Sequence, residues 1–175
     1  MPVLEVHLQE GHHSPDQHTA LLARMSAAYA TVLDSPAERI RAYLVLHHPE
    51  HWTVGGCSGG APAPYFTAVV LEGRPVEQRH RLLADLTDLL VDVLGVERSR
   101  VRGRIIRVDP DDWAIGGVPA SAARRDEIAA RSRSDAPSGS HVQRQGGPGE
   151  GVGLRGEEQR HRPGDLLGGH QPAER

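Results

Sequence analysis

The chain has 175 residues, a formal net charge of −3 and a single cysteine. The small net charge gives no indication of nucleic-acid binding, and one cysteine excludes an intrachain disulfide. The sequence contains no apolar run of about 18 residues and no export signal, so we expect a cytoplasmic protein with no membrane partner.

The first predicted strand, over residues 3–8, directly follows a proline. Removal of Met1 would leave Pro2 as a free secondary amine, and the reference pKa of an α-amino group is about 7.7–8.0. All 20 residues of the lysine and arginine class are arginines, which excludes a lysine Schiff base. The sequence therefore indicates Pro2 as a candidate catalytic base or nucleophile. The alternative is a terminal proline without a chemical role.

Start and stop signals define the first predicted helix. Ser14, Pro15 and Gln17 form a capping-box pattern with proline at the first helical position, and Pro36 ends the helix. Apolar residues recur between these points at helical spacing. The segment 40–46 is rich in branched residues and predicts a second strand.

The same order of elements recurs in the second half of the chain. Strands are predicted over 65–71 and 101–108, around a helix with a leucine stripe that ends at Gly95. Trp52 and Trp113 hold matching positions 61 residues apart, and three further pairs of residues match at 61 or 62. The chain therefore contains two copies of a unit of roughly 60 residues.

Two strand–helix–strand units predict an α+β fold. Each unit implies a parallel strand pair with a right-handed crossover, so the two units form a four-stranded mixed sheet with both helices on one face. The other face would be bare, and we expect further subunits to cover it. The predicted divisions are a first unit over 2–56, a Gly/Pro-rich linker over 57–63, a second unit over 64–121 and a disordered tail over 132–175.

Several stretches carry a family resemblance. "MPVLEVHLQEG" and "HWTVGG" in the first copy, and "LEGRPVEQRHRLL" and "RVRGRIIRVDPDDWAIGGVPAS" in the second, resemble 4-oxalocrotonate tautomerase. The fused layout resembles the cis-3-chloroacrylic acid dehalogenase and malonate semialdehyde decarboxylase branches of the tautomerase superfamily, over about residues 2–121. The resemblance implies a homotrimer, a small carboxylate substrate, no cofactor, and Pro2 as the catalytic residue. Pro64 matches Pro2 in the second copy, but its nitrogen is an internal amide.

Three arginines match substrate-binding positions of the superfamily. Arg74 lies in the turn "LEGRP", where a cation next to a helix start is unfavourable unless an anion is bound there. The first copy has His12 at the nearest position. Arg41 and Arg102 match a second arginine that polarises the substrate carbonyl, and the alternative for each is a solvated residue at a strand end.

Three aromatic residues are further candidates for the substrate site. Trp52 and Trp113 match an aromatic wall of the family's pocket, with packing at a subunit interface as the alternative. Tyr29 falls where the dehalogenases carry a histidine, although its place on the apolar helix stripe favours core packing. The histidine clusters do not have the spacing of a zinc-binding helix, so no metal is expected.

Departures from the family patterns narrow the expected reaction. Leu71 replaces a second arginine of the dehalogenases, Ala114 lies near their water-activating glutamate, and Arg104 aligns with their tyrosine. We therefore expect a tautomerase that interconverts the enol and keto forms of a small 2-oxo acid. The alternatives are a Pro2-dependent hydratase, decarboxylase or dehalogenase, and a non-catalytic oligomeric binding protein.

Overall fold

The computed structural model describes residues 2–134, apart from the side chains of residues 131, 132 and 134. In the first unit the strands are β1 (Val3–Gln9), β2 (Arg41–His47), β3 (Thr53–Val54) and β4 (Cys57–Ser58), and the helix is α1 (Pro15–Leu33). In the second unit the strands are β5 (Tyr65–Leu71), β6 (Arg102–Val108), β7 (Ala114–Ile115) and β8 (Val118–Pro119), and the helix is α2 (Val76–Leu94). Helices α3 (Ala120–Ala123) and α4 (Arg125–Ser134) follow.

The ends of helix α1 follow from its sequence. The Ser14 hydroxyl accepts a hydrogen bond from the Gln17 backbone N–H at 3.2 Å, and the Gln17 side-chain oxygen accepts one from the Ser14 N–H at 3.0 Å. This reciprocal pair is the capping box predicted from the sequence. The helix ends at Asp34, which has a left-handed conformation with φ of 44°. Helix α2 ends in the same way at Gly95.

The four long strands form one mixed sheet in the order β2-β1-β5-β6. The two pairs within the units are parallel, whereas β1 and β5 are antiparallel to each other. This confirms the predicted α+β fold with two β-α-β units. Because Val3 pairs with Arg41 on one side and Val69 on the other, the start of β1 lies beside the start of β2 and the end of β5.

The hydrophobic core lies between the sheet and the two long helices. Its fully buried side chains come from both units and include Leu4, Val6, Leu21, Met25, Phe66, Leu82, Leu86 and Leu90. The opposite face of the sheet is polar: the His7 and His47 rings hydrogen bond at 2.8 Å, and Arg104 donates to the Thr67 hydroxyl at 3.3 Å. No helix within the described residues is both long and apolar enough to cross a membrane.

Two of the predicted divisions differ from the structure. Cys57 and Ser58, which the sequence assigns to the linker, form strand β4 and pair with Val54 and Thr53 in a hairpin. The segment beyond residue 121 forms α4, which extends through residue 134 into the predicted disordered tail. Residues 135–175, where the rest of that prediction falls, lie outside the described part of the chain.

We predict that Gly103→Ala destabilises the fold. Gly103 faces Phe66 across the β5–β6 pair, and an added Cβ would lie 2.1 Å from the ring of that fully buried residue. Overpacking of this kind costs about 1–3 kcal/mol, which urea unfolding followed by circular dichroism would measure. Gly60→Ala is the matched control, because a Cβ there meets nothing within 4 Å. Equal free energies of unfolding for the two variants would contradict this account of the packing.

Candidate active site

A small cavity lies where the start of β1 meets the end of β5. Its described lining consists of Pro2, Leu33, Ser35, Val70, Leu71, Arg74 and Arg124. Pro2 is buried, and the cavity has a volume of about 20 Å³, which is room for about one water molecule. The antiparallel register of β1 and β5 therefore brings together Pro2 and Arg74, two residues that the sequence singled out on different grounds.

The Arg74 guanidinium is anchored at the C-terminal end of helix α1. Its Nη1 donates to the Leu33 carbonyl and, at 3.3 Å, to the Gln78 side-chain oxygen, and its Nη2 donates to the Ser35 hydroxyl at 3.3 Å. The C-terminal carbonyls of a helix carry partial negative charge. The first unit therefore stabilises this cation, although Arg74 lies just before the N-terminus of its own helix, α2.

Arg124 is a cavity residue that the sequence analysis did not identify. It lies at the junction of α3 and α4, where its N–H donates to the Ala120 carbonyl at 2.9 Å. Helix α4 also contacts the first unit, because Arg39 Nη1 donates to both carboxylate oxygens of Glu127 at 3.0 and 3.1 Å. The position 61 residues before Arg124 is occupied by Ala63, so the repeat comparison gives no indication of an arginine here.

Tyr29 lies in the core next to this site. Its side chain is fully buried, and its hydroxyl donates to the Val69 carbonyl at 2.6 Å. Burial raises the pKa of the Tyr29 phenol, and the nearby Arg74 cation partly opposes that rise. The phenol therefore stays protonated in the folded protein and links helix α1 to strand β5.

Arg41 and Arg102 occupy equivalent places in the two units. The Arg41 N–H donates to the Pro2 carbonyl at 3.0 Å, and the Arg102 N–H donates to the Pro64 carbonyl at 3.0 Å. Both side chains are exposed, and both guanidinium groups donate to nearby backbone carbonyls. Within one chain, Arg41 is thus adjacent to Pro2, whereas Arg102 lines a second cavity around Pro64.

The two tryptophans occupy the regions after β2 and β6. Trp52 lines the Pro64 cavity and packs against the His47 ring, with 4.9 Å between ring centroids. The Trp113 carbonyl accepts a hydrogen bond from the Ala120 N–H at 2.8 Å. Both indole N–H groups are buried without a hydrogen-bond partner in the described part of the chain. No three histidine, cysteine or acidic side chains among residues 2–134 are arranged to hold a metal ion.

The duplicated β-α-β unit and the mixed sheet define an α+β protein of the tautomerase type. The macrophage migration inhibitory factor of Toxoplasma gondii shares this fold, with a TM-score of 0.57 at 21% identity over 66% of this chain and 97% of that chain. The sequence model of the family described as tautomerase enzyme matches residues 2–61 and, a second time, residues 64–123. The chain therefore belongs to the tautomerase family, which confirms the family and the duplication predicted from the sequence.

Curated relatives match one unit at a time. A probable tautomerase of Ralstonia nicotianae is 38% identical over 61 residues, which is 35% of this chain and 87% of that protein. The 2-hydroxymuconate tautomerase of Comamonas testosteroni is 34% identical over 62 residues, which is 35% of this chain and 98% of that protein. These relatives are enzymes of the isomerase type, and the chain belongs to the same class.

Solved structures match both units together. Native fused 4-OT superposes with a TM-score of 0.66 at 31% identity, over 70% of this chain and 99% of that chain. F6 fused 4-OT, an asymmetric trimer, superposes with a TM-score of 0.65 at 28% identity, over 69% of this chain and 98% of that chain. The fused arrangement of two units thus recurs over nearly the whole length of these proteins.

We predict that Tyr29→Phe lowers stability but leaves the KM for substrate within about twofold. Loss of the hydrogen bond to Val69 costs about 0.5–1.5 kcal/mol in urea unfolding at neutral pH. The pKa of the phenol is raised on folding, so its contribution to stability is present below the unfolded pKa of about 10 and is lost as pH rises further. The wild-type protein therefore loses more stability in alkali than the variant does.

The matched control is Tyr43→Phe, because Tyr43 is 44% exposed and its replacement stays within about 0.5 kcal/mol of the wild-type stability. A severalfold rise in KM for Tyr29→Phe, with unchanged stability, would instead place this hydroxyl in the substrate site.

Proposed function

We propose that the chain interconverts the enol and keto forms of a small 2-oxo acid, with the Pro2 nitrogen as general base and acid. The observation that supports this best is the shared cavity of Pro2, Arg74 and Arg124. Removal of Met1 frees the Pro2 nitrogen. The reaction moves one proton between carbon and oxygen and requires no cofactor.

The surroundings of Pro2 favour the neutral form of a free amine. Pro2 is buried, and two arginines line its cavity. Burial and nearby positive charges both disfavour the ammonium form of an amine. A neutral amine can accept the proton from the substrate and return it to the adjacent carbon or oxygen, which general acid–base catalysis near pH 7 requires.

Arg74 is the proposed ligand for the substrate carboxylate. Its hydrogen bonds to the Leu33 carbonyl and the Ser35 hydroxyl hold the guanidinium at the cavity before substrate arrives. Both partners are uncharged, so they leave its positive charge available for a carboxylate. A guanidinium binds a carboxylate through two parallel hydrogen bonds, which fixes the orientation of the substrate.

The enol oxygen requires a second cation. Arg41 and Arg102 are the candidates from sequence, and we assign this role to Arg41, because its backbone bonds directly to Pro2 within the same chain. A cation aimed at the oxygen that gains charge stabilises the enolate-like transition state. Trp113 is the proposed aromatic wall beside Pro2.

Admission of the substrate requires a change at the cavity. A volume of about 20 Å³ cannot contain a 2-oxo acid, which is several times larger than one water molecule. Among the lining residues, Arg124 belongs to the α3–α4 segment rather than to the sheet or the long helices. We therefore assign the opening movement to this segment, with Arg124 as a further cation that contacts bound substrate.

The proposed assembly is a homotrimer. The sheet face opposite the helices carries Glu5, His7 and Arg104, and Tyr43 on the same face is 44% exposed. Fused 4-OT proteins of the same fold have been solved as trimers. Packing against sheets of two further subunits would enclose this polar face.

Proton transfer suits the cavity better than hydration or decarboxylation. Activation of water needs a base in addition to Pro2, and the seven described residues that line the cavity include no aspartate or glutamate. The presence of Arg74 in the cavity likewise favours catalysis over a binding protein that only retains the fold.

We predict that the wild-type protein ketonises phenylenolpyruvate or 2-hydroxymuconate, followed by ultraviolet absorbance, and that Arg74→Ala lowers kcat/KM about 10–100-fold. That factor corresponds to the loss of a hydrogen-bonded ion pair with the substrate carboxylate. Arg81→Ala is the matched control, since Arg81 is an exposed arginine of α2 that pairs with Asp85. Circular dichroism would verify that both variants fold.

Absence of turnover above buffer, from folded protein that lacks Met1, would overturn the proposed reaction for these substrates. Equal kcat/KM for Arg74→Ala and Arg81→Ala would remove Arg74 from the substrate site but would leave the Pro2 chemistry open.

A further inference from the structure

A second, larger cavity surrounds Pro64, on the side of the sheet edge opposite Pro2. Its volume is about 420 Å³, and its lining includes Trp52, Pro64, Tyr65, Ser99, Arg100 and Arg102. Small-molecule sites have volumes of about 300–1,000 Å³ and combine apolar walls with a few charged groups. Size and composition thus match those of a ligand site, and the cavity is distinct from the one that contains Pro2.

We propose that this cavity is a non-catalytic binding site for a small aromatic carboxylate. The Pro64 nitrogen is part of a peptide bond, so its lone pair is delocalised and cannot accept a proton from a ligand. A ligand held there is bound and released unchanged. Two features of the lining select an aromatic carboxylate: an uncompensated arginine and two aromatic rings.

Arg102 supplies the charge that recognises the carboxylate. Its guanidinium donates to the carbonyls of Ser99 at 2.6 Å and Val101 at 2.9 Å, which are neutral acceptors. The ion pairs among the described residues do not include Arg102. Arg100, by contrast, is paired with Glu97 at 3.2 Å. Arg102 therefore keeps its positive charge for an anion in the cavity.

Trp52 and Tyr65 supply the apolar walls. The Trp52 ring is backed by the His47 ring, and the Tyr65 ring lies 5.5 Å from the His7 ring. The indole N–H of Trp52 is itself buried, so the surface that Trp52 presents to the cavity consists of carbon. Carbon surfaces of two fixed rings favour an aromatic ligand, which can stack against them with little loss of conformational freedom.

The difference between the units explains why this cavity is large and that of Pro2 is small. Arg39 is the first-unit counterpart of Arg100, and it pairs with Glu127 of helix α4, which follows the second hairpin. After the first hairpin the chain instead passes through residues 59–63 directly into strand β5. No helix in the described part of the chain occupies the equivalent place beside Arg100, and the space around Pro64 is left open.

Fluorescence of Trp52 tests the proposal directly. The chain has two tryptophans, so Trp113→Phe leaves Trp52 as the only one. Titration with 3-phenylpropionate, which has no 2-oxo group and cannot be turned over, is expected to give a saturable change in Trp52 emission. Adding Arg102→Gln should weaken this binding about tenfold or more, because it removes the charged partner of the carboxylate. Arg107→Gln, on the same strand, is the matched control and should leave the affinity unchanged.

Absence of a saturable change in Trp52 emission would overturn the proposal, as would an unchanged affinity in the Arg102→Gln variant. Loss of the signal in Arg74→Ala would also overturn it, since that result would place the ligand in the Pro2 cavity. A variant Arg102→Gln that loses ketonisation but keeps 3-phenylpropionate binding would assign Arg102 to catalysis instead. Equilibrium dialysis with the wild-type chain gives an independent result that does not require Trp113→Phe to fold.

Discussion

The antiparallel pairing of β1 with β5 is the constraint on which the rest of the molecule depends. Each unit alone brings a proline to the start of its first strand and a turn to the end of that strand. Only the antiparallel junction places the start of one first strand beside the end of the other, as the pairing of Val3 with Val69 shows. Pro2 of the first unit therefore meets Arg74 of the second, and neither unit could form that cavity alone.

The same pairing creates two pseudo-equivalent sites that differ in chemistry. Pro2 can become a free amine, whereas Pro64 is held in a peptide bond. The regions beyond the two hairpins differ as well, because α4 reaches Arg39 through Glu127 while the first hairpin continues directly into β5. A duplicated unit has thus acquired one small, arginine-lined cavity at Pro2 and one open cavity at Pro64. We regard this division as the physical basis for proton transfer at one site and binding at the other.

Local patterns predicted much of the fold from the sequence. The capping box at Ser14, the glycine at position 95 and the repeated strand–helix–strand order each depend on neighbouring residues, and the structure has all three. The repeat and the motif "LEGRP" also directed attention to Arg74. These features are local, or are repeated at a constant offset, and a single sequence displays them.

What the sequence did not predict depends on contacts between distant residues. Arg124 has an alanine as its repeat counterpart, and the cavity that it lines becomes visible only once α4 is placed against the first unit. The bridge between Arg39 and Glu127 joins residues 88 positions apart, and neither side chain has a local partner that marks it. Likewise, the alternation of β6 gave no indication that Arg102 would line a cavity with Trp52, because β6 and the first hairpin are far apart in the chain.

The central claim is that the free nitrogen of Pro2 moves the proton, and one comparison tests it most directly. Ketonisation rates would be measured for the protein with Met1 removed and for the same chain with Met1 retained, each verified by intact mass. Retention of Met1 leaves every side chain unchanged but converts the Pro2 nitrogen into an amide. The account predicts a loss of about 10²–10⁴-fold in kcat, the usual contribution of a general base. Equal rates for the two forms would contradict it, because the proton would then be moved by another group.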